Sequence, residues 1–216
     1  MKKAFLRNLV VFLIALLITA NSAVWAQQRK DFTEENEIRL NKLQPPEKIM
    51  DAIGLKPGMV IGDIGAGWGR FAVWFADRVG ETGKVYANDI DRGALMRLAK
   101  RCKNHGFKNV IVRLGKVVDP NIPPGVLDIA FMINVYHHLE KPVELVRNLI
   151  PTLEPEGILV IVEHDPEKMG RGSHMTPEKE LLEQLNQAGF ELIKIETFLQ
   201  DDNIYFFRPK QADSLD

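Results

Sequence analysis

From Met59 onward the chain alternates short apolar runs with amphipathic stretches, and this alternation constrains its fold more than any other feature. The runs Met59 to Ile64, Gly83 to Asn88, Asn109 to Leu114, Leu127 to Asn134 and Gly157 to Glu163 read as buried strands. Between them, Gly69 to Arg78, Arg92 to Asn104 and Pro142 to Leu153 carry apolar residues at helical spacing, with Phe71, Trp74 and Phe75 expected to face inward. Thr176-Pro177-Glu178 reads as an N-cap with proline at the first helical position, launching a helix to Ala188. Phe190 to Phe198 and Asn203 to Arg208 are separated only by a turn around Gln200-Asp201-Asp202, so they must pair antiparallel. Alternating β and α units bury a parallel sheet under helices on both faces. The pattern predicts an α/β fold: a doubly wound three-layer sandwich with a mostly parallel seven-stranded sheet and an antiparallel C-terminal hairpin.

The region before this pattern divides in two. Lys2, Lys3 and Arg7 precede a nearly unbroken apolar run from Leu9 to Thr19, and Val24-Trp25-Ala26 offers a cleavage point after Ala26. Residues 1–26 are therefore expected to be a signal peptide that exports the chain to the periplasm or medium. The alternative is an uncleaved membrane anchor over residues 4–20, although the run is short for a span. Residues 27–58 form an N-terminal helical segment broken at Pro45-Pro46, residues 59–209 the main domain and residues 210–216 a tail. The formal net charge is −1 with no clustered basic run, which gives no electrostatic reason to expect nucleic acid as a partner. The only cysteine, Cys102, cannot form an internal disulfide. Oligomeric state is not legible here.

Asp63-Ile64-Gly65-Ala66-Gly67-Trp68-Gly69 falls where the first strand meets its helix. In a doubly wound sheet this is a ligand position, at the carboxyl end of a strand beside the switch in strand order. Gly65 and Gly67 let the backbone turn tightly and approach a ligand. A dinucleotide fingerprint would run Gly-x-Gly-x-x-Gly, but the sixth position here is Arg70 and the third glycine comes one residue early. Asp63 would repel a pyrophosphate and suits an amino group or sulfonium instead. Asp89, at the end of the second strand, can accept hydrogen bonds from both hydroxyls of a ribose, whereas Asp91 reads as the cap of the next helix.

Val60 to Phe75, Val85 to Asp91, Asp128 to Leu139 and Gly157 to Glu163 together resemble the successive motifs of class I S-adenosylmethionine-dependent methyltransferases. They are most similar to the branch that includes ubiquinone and menaquinone biosynthesis enzymes. The resemblance covers the chain from about Lys48 to the last strand. It implies S-adenosyl-L-methionine as cofactor, with Asp63, Gly65, Ala66 and Gly67 along its methionine part. Asp89 and Ile90 would lie at the adenosine, and Asn134 would contact the amino acid portion. The chain departs from the family at Gly115-Lys116-Val117-Val118-Asp119, where an acid for the adenine amino group is usual just after the third strand. Asp119 would serve only if the loop bulges.

Methyl transfer from a sulfonium asks the protein to orient the acceptor, exclude water and, for a protonated nucleophile, remove a proton. Asn134-Val135-Tyr136-His137-His138-Leu139 ends the fourth strand, beside the expected position of the methyl group. His137 and His138 are candidate bases, since an imidazole titrates near neutrality, and Tyr136 is a candidate acceptor contact. The alternative for the histidines is packing against the sheet and capping the next helix. Glu163-His164-Asp165 adds polar groups to the same rim, and Gly170 to His174 reads as a loop able to fold over an acceptor. Adjacent histidines are not spaced for shared metal ligation, so no metal is expected. The chain is thus expected to be a methyltransferase acting on a small-molecule acceptor. Two alternatives stand beside it: a protein carboxyl methyltransferase, to whose isoaspartyl type Arg78 to Val85 is similar, and a cofactor-binding domain without catalysis.

Overall fold

The computed structural model describes residues 31–170 and 175–211. The expected signal segment and most of the Gly170 to His174 loop lie outside the described residues. Seven strands form one sheet: β1 (Val60–Ile64), β2 (Lys84–Asp89), β3 (Val110–Leu114), β4 (Leu127–Ile133), β5 (Leu153–His164), β6 (Phe190–Glu196) and β7 (Asp202–Pro209). Their order is β3-β2-β1-β4-β5-β7-β6. The first five are parallel, while β7 pairs antiparallel with both β5 and β6. The helices are α1 (Ile38–Leu43), α2 (Pro46–Ala52), α3 (Ala72–Val79), α4 (Arg92–Asn104), α5 (Pro142–Arg147), α6 (Pro166–Met169) and α7 (Glu178–Ala188). This is the doubly wound sheet that the alternation predicts.

Strand order reverses between β1, which is followed by a crossover to β2, and β4 on its other side. The loops leaving the two strands diverge there and open a cleft at their carboxyl ends. The strands that frame the cleft are held from below: Ile61, Ile129, Phe131 and Val160 are wholly buried. Phe71, Phe75 and Phe131 pack with ring centroids 5.0–5.4 Å apart beneath the loop after β1. That clustering contributes both buried area and favourable tilted and edge contacts.

Several boundaries differ from the sequence reading for identifiable reasons. Helix α3 starts at Ala72 rather than Gly69. Gly67 and Gly69 hold φ of 53° and 83°, and Gly69 N–H closes a turn onto Ala66 C=O at 2.9 Å, so helical geometry begins later. Within it Phe71 and Phe75 are buried but Trp74 is only half-buried, because it falls on the rim of the apolar stripe. Helix α5 ends at Arg147, a 3-10 turn covers Ile150–Thr152, and β5 begins at Leu153, which pairs with Leu127 across a register shift. Pro177 stands at the N-cap of α7 with ψ 145°, not at the first helical position, and Thr176 makes no cap. Glu178, which starts the helix, is held by the Tyr205 hydroxyl at 3.1 Å.

Candidate active site

Gly65 divides the cleft. It holds φ 75°, and a Cβ built there would stand 2.6 and 2.7 Å from the two methyls of Val135. Backbone and side chain from β1 and β4 therefore touch at this point, which only glycine permits. One cavity, of about 400 Å³, lies on the β2 and β3 side and is lined among others by Asn88, Asp89, Ile90, Val117, Asn134 and His138. A second, of about 300 Å³, lies over the loop and is lined among others by Asn36, Glu37, Asp63, Gly67, Trp68 and Arg70. Gly65 lines both. Their sizes fall at the lower end of the range for small-molecule sites.

In the first cavity the Asp89 carboxylate accepts the Gly67 N–H at 2.8 Å on Oδ2 and the Asp91 N–H at 2.8 Å on Oδ1. It thus ties the glycine loop to the loop after β2. Asp91 Oδ1 accepts from Gly93 N–H at 2.7 Å and Ala94 N–H at 3.2 Å, the capping role expected of it. Ile90 is exposed at the cavity edge. Asp119 turns away: its Oδ1 accepts the Asn121 N–H at 2.8 Å, and Lys116 and Val117 line the cavity instead.

In the second cavity Asp63 is buried, its Oδ2 has no hydrogen-bond partner, and burial pushes its carboxyl up to about 7. Arg70 opposes that shift but does not cancel it. The guanidinium of Arg70 donates to Gln44 Oε1 at 2.6 Å and Asn41 Oδ1 at 3.2 Å. These come from the segment 34–44, which crosses the cavity mouth and contributes Asn36, Glu37 and Leu40 to its lining. The segment is fastened at both ends. Arg101 of α4 grips Glu37 with two bonds of 2.6 and 2.8 Å, both side chains buried, and Gln44 Nε2 donates to Asp202 Oδ1 at 3.0 Å. A forked guanidinium–carboxylate pair of this kind fixes geometry as well as charge.

At the end of β4, Asn134 adopts φ 53°, and its Oδ1 is buried without a partner. A 3-10 turn at Tyr136–His138 follows. Tyr136 is buried in the core and its hydroxyl donates to Gln184 Oε1 at 2.8 Å, so it lines neither cavity. His137 Nδ1 lies 2.6 Å from Glu163 Oε1, with 9% and 1% of the two side chains exposed. Nδ1 faces the carboxylate, and Nε2 is the ring nitrogen turned away from it. Glu163 also accepts the backbone N–H of His164 at 3.0 Å and of His137 at 3.4 Å. The His138 ring packs 3.9 Å from His137 and lines the first cavity. His164 Nδ1 is 2.8 Å from Asp202 Oδ1, which raises its pKa.

The structure therefore brings Asp63, Gly65, Ala66, Gly67, Asp89, Ile90, Asn134 and His138 to the cavity walls. His137 stands behind His138, and Tyr136 belongs to the core. The sequence reading passed over Arg70, Gln44, Asn36, Glu37 and Leu40, and it named Glu163 only as a polar group on the rim. Among the described residues no cluster of three or more His, Cys, Asp or Glu side chains is arranged to hold a metal.

A family profile described as "Methyltransferase domain" matches residues 55–204. The chain belongs to this methyltransferase family. It is similar to a structure titled a SAM dependent methyltransferase from Aquifex aeolicus, at 27% identity and TM-score 0.71 over 75% of this chain and 88% of that one. A stretch of 82 residues is 33% identical to nocamycin O-methyltransferase of Saccharothrix syringae, covering 38% of this chain and 29% of that protein. The chain thus spans less than a third of the curated relative it matches. The structure of the [4+2]-cyclase SpnF shares the fold at 15% identity, TM-score 0.68, over 85% of this chain and 86% of that one. Family and fold agree with the class that the successive motifs resemble, the Rossmann-like S-adenosylmethionine-dependent methyltransferases. The relatives do not single out its quinone-biosynthesis branch.

Proposed function

We propose that this methyltransferase binds S-adenosylmethionine across Gly65 and passes the methyl group to a small-molecule acceptor. The observation that carries this reading is the pair of buried, unpartnered acceptor oxygens, Asp63 Oδ2 and Asn134 Oδ1, on the walls of two cavities that meet at one glycine. An unsatisfied buried oxygen costs roughly 1–3 kcal/mol, so two of them at one cleft favour a cationic or donor-rich ligand. S-adenosylmethionine has an α-ammonium and a sulfonium, and when bound it supplies an activated methyl group.

Residue roles follow from position. Asp89 takes the ribose hydroxyls while keeping the glycine loop in place, and Ile90 and Val117 cover the adenine. Asp63 receives the ammonium, Arg70 the carboxylate, and the backbone at Gly65, Ala66 and Gly67 follows the methionine chain. Asn134 faces the donor between the two parts. His138, on the wall of the first cavity, is the base that takes the proton of an acceptor hydroxyl, and Glu163 holds the His137 ring against which it packs. Tyr136 anchors the turn from below. The O-methyltransferase relative supports an oxygen acceptor in a small molecule. Export by residues 1–26 belongs to the same proposal, and fractionation of cells expressing the full chain tests it.

Calorimetric titration of the full chain with S-adenosylmethionine and S-adenosylhomocysteine tests the cofactor reading, followed by a screen of hydroxylated small molecules with labelled donor. Both cofactor forms should bind, Asp89→Ala should weaken both, and label should pass to a hydroxyl acceptor. A folded protein that binds neither, with NAD titrated in parallel, overturns the proposal.

A further inference from the structure

Beside the second cavity runs an open groove of about 530 Å³ with a different chemistry. Its walls are Trp68 of the glycine loop, Glu34 and Asn36 of the crossing segment, and Arg97, Lys100, Arg101 and Asn104 of α4. Asn36 and Trp68 line both spaces, so the groove continues the cavity outward. The four α4 residues recur at helical spacing and form one stripe.

The charges in the groove are not balanced. Arg101 is taken by Glu37, and Glu34 lies 3.6 Å from its Nε. Among the described residues, Glu34 and Glu37 thus both lie on the one cation Arg101. Arg97 and Lys100 have no ion-pair partner among the described residues. The Arg97 guanidinium is stacked over the Trp68 indole, 4.5 Å from the ring centroid, which fixes its plane while leaving its edge donors open. Trp68 remains 49% exposed, which leaves indole surface open to a ligand. Asn36 and Asn104 add carboxamides able to donate.

An exposed aromatic face, two uncommitted cations and two amides in one groove match a flat or apolar body bearing a carboxylate or phosphate. We infer that this groove is the anion subsite of the acceptor: Arg97 and Lys100 hold its charged group while its body lies along Trp68. The inference rests on the methyltransferase reading and adds to it the acceptor class, an anionic planar or apolar molecule.

The test uses the full chain saturated with S-adenosylhomocysteine and two probes of one shape, 2-naphthoate and its neutral counterpart 2-naphthamide. Calorimetry should show naphthoate binding at least about tenfold tighter, the scale expected from two short charge contacts in a partly desolvated groove. The double variant Arg97→Gln/Lys100→Gln should remove that preference and leave S-adenosylhomocysteine affinity within about twofold. Equal binding of the two probes by the wild type, or a preference that survives in the variant, overturns the subsite. Sedimentation with phosphatidylglycerol vesicles distinguishes the source of the anion. Charge-dependent vesicle binding without naphthoate preference assigns the groove to a lipid surface and also overturns the inference. The homocysteine titration stands apart: its failure would remove the cofactor reading, whereas failure of the naphthoate arm alone removes only the subsite.

Discussion

In the cavity on the β2 side, the Asp89 carboxylate accepts two backbone N–H groups at 2.8 Å and holds two loops together. In the cavity across Gly65, the Asp63 carboxylate is buried with one oxygen unpartnered and its pKa pushed up to about 7. The two acids stand on adjacent parallel strands, yet one is satisfied by its own fold and the other is not. On its Asp89 side the first cavity owes its shape to local loops that their own hydrogen bonds hold together. The second keeps an electrostatic cost that a bound cation would relieve. Strain of this kind persists where the surrounding structure over-determines it, and here Arg70, Gln44 and the Arg101–Glu37 pair do so.

The largest expected effect comes from filling the point that separates the two sides. Gly65→Ala places a methyl within van der Waals overlap of Val135 at a positive φ. It should cost about 2–4 kcal/mol of stability and more than a hundredfold in cofactor affinity, by denaturant titration and calorimetry. Gly67→Ala, where a Cβ meets nothing within 4 Å, carries only the φ strain of about 1 kcal/mol. Equal losses at both positions would break the idea that Gly65 is the dividing contact.

Asp63→Asn should separate stability from binding. For an acid whose folded pKa is raised, stability is full below the unfolded value of 3.8 and is lost as pH rises to about 7. Above that the buried charge costs up to about 4 kcal/mol, at 1.36 kcal/mol per unit. The variant should therefore be more stable than wild type at pH 8 and show no advantage near pH 3.5, while S-adenosylmethionine affinity falls about 10–100-fold. Asp89→Asn should show the reverse pattern, lowering stability at every pH. A variant at Asp63 that is destabilised at pH 8 would end the contrast.

These differences also explain what was legible in the sequence. Asp63, Gly65, Gly67, Asp89 and Asp91 act through neighbours a few residues away or through an adjacent strand end, so spacing along a strand–turn–helix unit reveals them. Arg70 acts through Gln44, 26 residues earlier, and Gln44 reaches Asp202 across 158 residues. Glu37 meets Arg101 across 64. No local pattern announces such pairs, since a polar helix-prone segment reads as solvated until its partners are known. Tyr136 failed in the opposite direction. Asn134 to His138 looks like one reactive set, but a 3-10 turn sends successive side chains to different sides and puts the tyrosine in the core. The parallel sheet and its closing hairpin were legible because apolar runs alternate with helical stretches and a short turn forces the last two strands to pair antiparallel.

Glu163→Gln tests the support behind the base. The carboxamide keeps only a weaker hydrogen bond to His137, the ring against which His138 packs, so turnover of a hydroxyl acceptor should fall about 10-fold while cofactor affinity holds. A purely structural role for Glu163 would lower cofactor affinity and turnover together.

The smallest effect is expected farthest from the dividing glycine. His164 touches Asp202, and that contact raises its pKa, so its contribution to stability is full below the ordinary histidine value of 6.5 and fades as pH rises through the raised one. Asp202 also receives Gln44, which holds Arg70 over the second cavity. His164→Gln should flatten the pH dependence of stability above 6.5 by about 1 kcal/mol or less. If the fastening of segment 34–44 depends on the charge at Asp202, the same variant will also loosen S-adenosylmethionine slightly at pH 6 and not at pH 8. A change confined to stability would mean that Gln44 holds the segment without help from the histidine.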